Sequence, residues 1–301
     1  MKKFILFMLL LCNLDTFACD LCGCANGGSF FGILPQSHRG FMGIRYRYSS
    51  FDSHLNSQLL QTREVFQSTE LWGRFYPFKK TQVLAFLPYN FNAQTLVKAN
   101  QTTKIQGLGD ASLIMHYNVF NTFWDSTAHK IDQNLLIGGG IKLPTGRYLY
   151  DPASTAEVDN PNFQLGTGST DFILNAIYTI RYRNWGLNTD LTYKINTENS
   201  NNYRFGNRVT TSASAFYTYK TGGITLMPNS GMYFEHSDSD QSAGVVNNRT
   251  GGYVGMATLG MESFFDKFSI GINHQQPVFQ ELSKGELQAN ARTTIHLTYL
   301  F

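Results

Sequence analysis

Three closely spaced thiols are the residues of this sequence best suited to chemistry. Cys19, Cys22 and Cys24 lie in one short stretch and are followed by the glycine-containing segment 25–32. Neighbouring thiolates favour copper or zinc, and flexible glycines let the sulfur atoms converge on one ion. An oxidising compartment would instead favour a disulfide with one thiol left over, and Cys19 could also carry a lipid. The sequence leaves these three interpretations open.

The elements that position these thiols begin with residues 1–18, which have the pattern of a secretory signal peptide. Lys2 and Lys3 precede an apolar run, and Ala18 provides a small residue for cleavage. We therefore expect the mature chain to begin at Cys19. The formal net charge of +3 is too small to favour nucleic acid as a partner.

The stretch 287–301 alternates with a period of two, so successive side chains leave opposite faces of a strand. The first row is mostly apolar: Phe301, Tyr299, Leu297, Ile295, Thr293, Ala291 and Ala289. The interleaved row is mostly polar: Leu300, Thr298, His296, Thr294, Arg292, Asn290 and Gln288. A closing strand with a terminal aromatic residue, one lipid face and one lumen face is typical of outer-membrane barrels.

Similar segments recur from residue 41 to the end, and they predict about twelve strands. They are 41–52, 66–77, 81–93, 108–123, 132–145, 169–182, 185–196, 205–220, 222–236, 251–264, 267–275 and 287–301. We predict an all-β, antiparallel, up-and-down transmembrane β-barrel over 41–301. Residues 19–40 would form a Cys- and Gly-rich periplasmic segment or a lumen plug. Pro228 removes a ladder donor and predicts a bulge or local irregularity in its strand.

The connections alternate between short and long along the chain. This order predicts short periplasmic turns and longer outer loops, with both termini in the periplasm of a Gram-negative bacterium. The segments 94–107 and 276–286 are predicted to be long polar loops. The longest loop, 146–168, is expected to be solvated on the outer surface. An inward-folded constriction is the alternative for this loop.

The rows opposite the apolar rows supply the candidate lumen and binding residues. These are Arg45, Arg47, Glu70, Arg74, Asp110, His116, Lys142, Asp171, Arg181, Asp190, Lys194, Arg292 and His296. Their mixed signs predict ion pairs across the lumen, because buried charges need partners. Such pairs would either hold the barrel open or select and orient a solute. Neither sign dominates, so the rows do not predict a preference for anions or cations.

The sequence predicts no enzyme. It lacks a GxSxG elbow, an HExxH helix, a P-loop and a Rossmann fingerprint. His116 and His296 are interpreted as hydrogen-bonding lumen residues, because no neighbouring group in the pattern forms an acid–base pair with them.

Three motifs occur in order: Gly107-Leu108-Gly109-Asp110, the stretch 138–146 (GGGIKLPTG) and the stretch 165–172 (LGTGSTDF). In this order they resemble the outer-membrane barrel family named after the meta-pathway of phenol degradation. The whole chain with its Cys-rich start also resembles barrels of Bacteroidetes-type bacteria. The resemblance implies an outer-membrane barrel and passage of hydrophobic small molecules. It carries over no catalytic residues.

Three functions follow as hypotheses. The first is a monomeric barrel, surrounded by outer-membrane lipids, that passes or binds a small hydrophobic solute. Twelve strands would give an interior between those of filled eight-stranded and open sixteen-stranded barrels. The second is a copper- or zinc-handling protein that uses Cys19, Cys22 and Cys24. The third is a structural or adhesive barrel.

Overall fold

The computed structural model describes residues 40–57, 60–124, 129–150 and 161–301. Its main sheet contains twelve barrel strands. They are β1 (Phe41–Ser53), β2 (Thr62–Phe75), β3 (Thr81–Leu96), β4 (Gln101–Leu108 and Ala111–Asn121), β5 (Ile131–Leu143), β6 (Asp171–Tyr182), β7 (Trp185–Ile195), β8 (Arg208–Tyr217, continued by Tyr219–Thr221), β9 (Ile224–Ser237), β10 (Gly252–Phe265), β11 (Phe268–Leu282) and β12 (Leu287–Ala289 and Arg292–Leu300). Each strand pairs with its neighbours in the chain, and β12 pairs with β1. The predicted twelve-stranded up-and-down barrel is therefore confirmed.

A few short elements lie outside the barrel strands. Tyr203–Arg204, Gln241–Ser242 and Val245–Val246 form a small separate sheet. Thr122–Trp124 and Ser283–Gly285 are single 3₁₀ turns. Within the described residues, no helix has the length and apolar character needed to cross a bilayer.

The outward rows form a continuous apolar belt because side chains alternate across each strand. Its exposed members include Met42, Ile44, Leu71, Leu87, Leu113, Met115, Ile137, Leu174, Leu191, Leu259, Ile270, Ile272 and Leu297. Aromatic pairs flank this belt at both ends of the barrel. Trp185 and Tyr217 have ring centroids 4.9 Å apart near the short turns, and Phe234 and Tyr253 are 6.4 Å apart near the long loops. An apolar belt between two aromatic girdles suits the hydrocarbon core and interfaces of a bilayer.

Two of the predicted long loops are largely strand, which corrects the predicted alternation of loop lengths. β3 and β4 remain paired as far as Leu96 and Gln101, so only residues 97–100 connect them. β11 likewise continues to Leu282. These segments were predicted to be loops because their side chains are polar. A hairpin that extends beyond the apolar belt does not contact lipid, so its strands need no apolar row. The loop 238–251 remains long.

Pro228 causes a local irregularity on one side of β9, as predicted, but no bulge. The register between β9 and β10 is unbroken through Pro228, which pairs with Met261. The pairing between β8 and β9 stops at Phe216 and Asn229 and resumes at Tyr219 and Leu226.

In β12 the prediction that Ala289 belongs to the outward, apolar row is wrong. Phe51 pairs with Ala289 but Tyr48 pairs with Thr293, so the register shifts by one residue at the break in the strand. Ala289 is therefore buried, and the Gln288 side chain is exposed.

The loop between β5 and β6 folds inward, contrary to the expectation of a solvated outer loop. Every residue from Pro161 to Thr167 is buried. Phe163 is fully buried and packs against Phe66 of β2, with ring centroids 6.2 Å apart. It joins an apolar cluster built from inward side chains of β1, β2 and β9 to β12. The described part of this loop therefore crosses the outer mouth of the barrel, because the gain from burying Phe163 outweighs the cost of removing its polar neighbours from water.

Candidate functional site

A buried polar cluster at the outer end joins the three sequence motifs. We call it the motif hub; it comprises Asp110, Lys142, Gly146, Thr167 and Asp171. The Lys142 ammonium lies 2.7 Å from Asp110 Oδ2 and 2.8 Å from Asp171 Oδ2. The backbone N–H of Gly146 donates to Asp110 Oδ1 at 3.0 Å, and that of Thr167 donates to Asp110 Oδ2 at 2.8 Å. One carboxylate therefore holds both ends of the inward loop.

The glycines of the motifs have a packing role in the hub. A Cβ on Gly166 would lie 2.8 Å from the Cα of Gly146, so the two chain segments can approach only without side chains. Amide side chains of β3 complete the attachment. Asn90 Nδ2 donates to the Leu165 carbonyl at 3.0 Å, and Asn92 Nδ2 donates to the Gln164 carbonyl at 3.2 Å. These contacts fix the loop across the mouth.

Below the loop, one side of the interior is lined by packed apolar side chains. We call this surface the apolar wall; it comprises Phe41, Trp72, Leu84, Phe86, Ile114, Leu136, Ile173, Ile177 and Leu300. The wall runs over β12 and β1 to β6. Trp72 packs on Phe41 with ring centroids 4.6 Å apart, and the Arg45 guanidinium lies 4.9 Å from the Trp72 ring. Buried polar side chains such as Glu70, Gln82 and His116 lie on the same strands. This side of the interior is therefore mixed, but more apolar than the polar interior of a water-filled porin.

The opposite side of the interior is polar. We call this surface the polar wall; it comprises Asn188, Thr192, Thr210, Ser212, Ser214, Asn229, Thr258, Asn273 and Gln275, all buried. Within the described part of the chain, several of its polar atoms have no hydrogen-bond partner. They are the hydroxyls of Thr210, Ser214 and Thr258, Oδ1 of Asn273 and Nε2 of Gln275. Buried groups of this kind are satisfied by water or by a polar ligand, because leaving them unpaired is costly.

Two three-residue ion clusters flank these walls. Glu70 accepts from Arg45 Nε at 2.9 Å and from Arg47 Nη2 at 2.7 Å. We call the second cluster the Glu235 triad; in it, Glu235 lies 3.2 Å from both Arg208 and Arg292. Arg292 reaches Glu235 across the interior, since β10 and β11 separate their strands. Each cluster places two guanidinium groups on one carboxylate.

Two histidines reach beyond their neighbouring strand because the intervening inward residue is glycine. His116 of β4 crosses β5 at Gly138, and its Nε2 donates to Asn175 Oδ1 on β6 at 2.6 Å. His296 of β12 crosses β11 at Gly271, and its Nε2 lies 3.1 Å from Glu262 Oε2 on β10. A Cβ on Gly138 would lie 2.8 Å from the His116 ring.

The sequence-predicted lumen residues all lie in the barrel interior or at its ends, but most ion pairs join neighbouring strands. Arg45, Arg47 and Glu70 form one cluster, and Asp110, Lys142 and Asp171 form another, with Lys194 3.8 Å from Asp171. Asp190 accepts from Asn175, which links it to His116. Arg74 and Arg181 stand apart from these clusters: Arg74 lies over Phe41, and Arg181 pairs with Asp132.

Sequence reasoning missed Arg208, Glu235 and Glu262. Their strands contain less regular rows, but the signal was present. Glu235 lies two positions from Tyr233 and from Ser237, so the three side chains share one face of β9. All three are buried on the inward face. Cys19, Cys22 and Cys24 lie outside the described residues. Within the described ranges, no group of three or more His, Cys, Asp or Glu residues is arranged to hold a metal.

The outer loops are tied together by a buried carboxyl group. Asp240 accepts from the Tyr203 hydroxyl and from the Gly206 backbone N–H, each at 2.7 Å. Burial raises the pKa of Asp240, partly offset by these two donors. The folded chain therefore holds a proton here more tightly than the unfolded chain, and this contribution to stability is lost as pH rises through the raised pKa.

Comparison with known proteins fits this geometry. The model of the family named for the MetA pathway of phenol degradation matches residues 45–276, most of the chain. The chain belongs to this family. The match spans all three motifs, so the motif hub explains in physical terms why the stretches that carried the resemblance occur together.

Solved structures show the same fold. An outer membrane channel from Pseudomonas putida F1 is 14% identical, with a TM-score of 0.63, over 91% of this chain and 99% of that chain. The β domain of the Bordetella autotransporter BrkA is 9% identical, with a TM-score of 0.54, over 87% of this chain and 100% of that chain. No curated relative matches the chain in sequence. This family member is an outer-membrane β-barrel of a Gram-negative bacterium, and its apolar belt contacts membrane lipids.

Proposed function

We propose that the protein is a non-enzymatic channel that passes a small amphipathic solute across the outer membrane. The observation that carries the proposal is the two-sided interior. The apolar wall offers a surface to the hydrophobic part of a solute, and the polar wall offers hydroxyl and amide groups to its polar part. Sites for small molecules typically combine an apolar lining with a few directed polar groups.

The inward loop supports a channel for small solutes rather than a wide pore. Phe163 and the buried residues beside it occupy the outer mouth. A solute must pass beside this constriction before it reaches the two walls. Permeation would therefore depend on the size of the solute and on its ability to contact both surfaces.

Flux into proteoliposomes tests the proposal. We expect uptake of 4-hydroxybenzoate, an aromatic with polar ends, to exceed that of glucose, which lacks an apolar face. Ser214→Leu adds bulk to the polar wall and should lower aromatic uptake several-fold. Ala213→Leu is the matched control, because Ala213 is the exposed outward neighbour on the same strand. Equal uptake of both solutes, or equal effects of both variants, would contradict a two-sided path.

The alternative function in metal handling stays a prediction from the sequence. If Cys19, Cys22 and Cys24 bind copper or zinc, purified protein should retain close to one equivalent of metal. Cys22→Ser with Cys24→Ser should abolish retention, which elemental analysis would measure. Retention unchanged in the double variant would remove these thiols as ligands. A disulfide would appear instead as the loss of two free thiols.

The protein is also predicted to be monomeric. The barrel closes on itself through β12 and β1, so among the described residues the membrane-spanning part of the main sheet leaves no open edge for a second copy. The outer extension Gln101–Leu108 pairs with β3 alone. Light scattering of the detergent-solubilised protein would measure its mass. A dimer would show that the outward surface itself supplies an interface.

A further inference from the structure

One cation of the interior is poorly paired. Lys194 on β7 is 7% exposed, and its ammonium makes a single ion contact, 3.8 Å from Asp171 Oδ2. That oxygen also lies 2.8 Å from the Lys142 ammonium, although it accepts no hydrogen bond from a described residue. Among the described residues, Lys194 has no hydrogen-bond partner. A buried ammonium carries three donors, and leaving them unused is costly.

The residue directly opposite Lys194 is another cation. Arg208 on β8 is its register partner, although like charges at opposed positions destabilise a sheet. Arg208 is bound to Glu235, which also serves Arg292. Arg208 and Arg292 both pair with Glu235, and Lys142 and Lys194 both lie near Asp171, so several cations converge on this part of the interior.

The surroundings of Lys194 add a hydroxyl group and an apolar surface. Thr210 is the next inward residue after Arg208 on β8; it is 3% exposed, and its hydroxyl has no hydrogen-bond partner in the described chain. On the other side, Lys194 pairs with Ile173 of β6, a member of the apolar wall. Lys194 therefore stands where the apolar wall meets the polar wall.

We propose that Lys194 and Thr210 form a binding subsite for the carboxylate of a small organic anion. The ammonium and the hydroxyl would donate to the carboxylate oxygens, and the apolar body of the anion would lie against Ile173. Charge-assisted hydrogen bonds of this kind are shorter and stronger than neutral ones. The inference rests on the proposed function and narrows its solute class to aromatic or aliphatic carboxylates.

Equilibrium binding tests the subsite without requiring transport. Isothermal titration calorimetry of the full chain in detergent would compare benzoate with benzamide, its neutral counterpart. We expect benzoate to bind and benzamide to bind at least tenfold more weakly. Lys194→Met should weaken benzoate binding by about tenfold or more, the loss of one hydrogen bond to a charged group. Lys194→Arg should restore part of it, and Thr210→Val should cause a smaller loss.

The controls separate the subsite from the channel. Lys104→Met removes an exposed lysine of the β3–β4 hairpin and should leave benzoate binding unchanged. Heat-modifiable migration in gels would verify that each variant folds. If benzoate and benzamide bind alike, or if Lys194→Met binds benzoate normally, the subsite is wrong while channel activity can stand. Benzoate binding that needs Lys194, without any solute flux, would uphold the subsite and overturn the proposed channel.

Discussion

Replacing Lys142 with methionine should detach the inward loop and destabilise the barrel. The substitution leaves Asp110 and Asp171 buried without their shared cation, and Asp171 has no exposed surface. Removing one partner of a buried ion pair costs roughly 3–5 kcal/mol, so we expect a loss of this size in the free energy of unfolding. Urea titration of the protein in lipid vesicles, followed by tryptophan fluorescence, would measure it.

The same variant should widen the outer mouth. Asp110 holds Gly146 and Thr167, and Lys142 helps to place that carboxylate. Single-channel conductance should therefore rise for Lys142→Met. Lys79→Met, in the exposed turn after β2, is the matched control and should change neither conductance nor stability measurably. A Lys142 variant with normal stability and conductance would show that the hub does not hold the loop.

Replacing Glu235 with glutamine should cause a loss of similar size through a different contact. Glu235 is 2% exposed and is the shared partner of Arg208 and Arg292, which lie on different sides of the interior. Two guanidinium groups would then lose their carboxylate, at a cost of about 3 kcal/mol or more. The Tyr233 hydroxyl, which donates to Glu235 at 2.8 Å, would lose a charged acceptor as well. Urea unfolding in lipid vesicles measures the change.

A surface ion pair provides the comparison for this prediction. Asp52 pairs with Arg63 at 2.7 Å, but the Arg63 side chain is 63% exposed. Exposed pairs contribute about 0–1 kcal/mol, so Asp52→Asn should change stability little. Equal effects of Glu235→Gln and Asp52→Asn would mean that the interior screens charge as well as bulk solvent does.

The fold was largely predictable because a barrel that faces lipid must alternate strictly. Outward apolar residues such as Leu113 and Met115 must face the lipid, so they occupy every second position. This period of two identifies the strand. The alternation ends where the strands leave the apolar belt. For that reason the outer end of β3 and the outer halves of β4 and β11 were taken for loops. The register shift at Ala289 could not be predicted, because the residues that change faces there are small or polar and leave no apolar pattern in the sequence.

The candidate site was predictable only in part. The alternation of side chains along the strands correctly placed Lys142 and Asp171 inside. It could not show that Asp110 and Thr167 contact them, because that contact joins distant parts of the chain. The inward loop was missed for the same reason. Phe163 stands among polar residues, and only the closed barrel reveals the apolar cluster that receives it. The charge balance around Lys194 likewise depends on which carboxylate each cation reaches.

Single-channel recording of the full chain in planar bilayers tests the central claim most directly, that the interior is a path for solute. The geometry predicts discrete but small conductance steps, because Phe163 and its neighbours narrow the outer mouth. The Lys142→Met variant should give larger steps under the same conditions. Protein that is folded by gel migration but silent in both forms would contradict a solute path through the barrel.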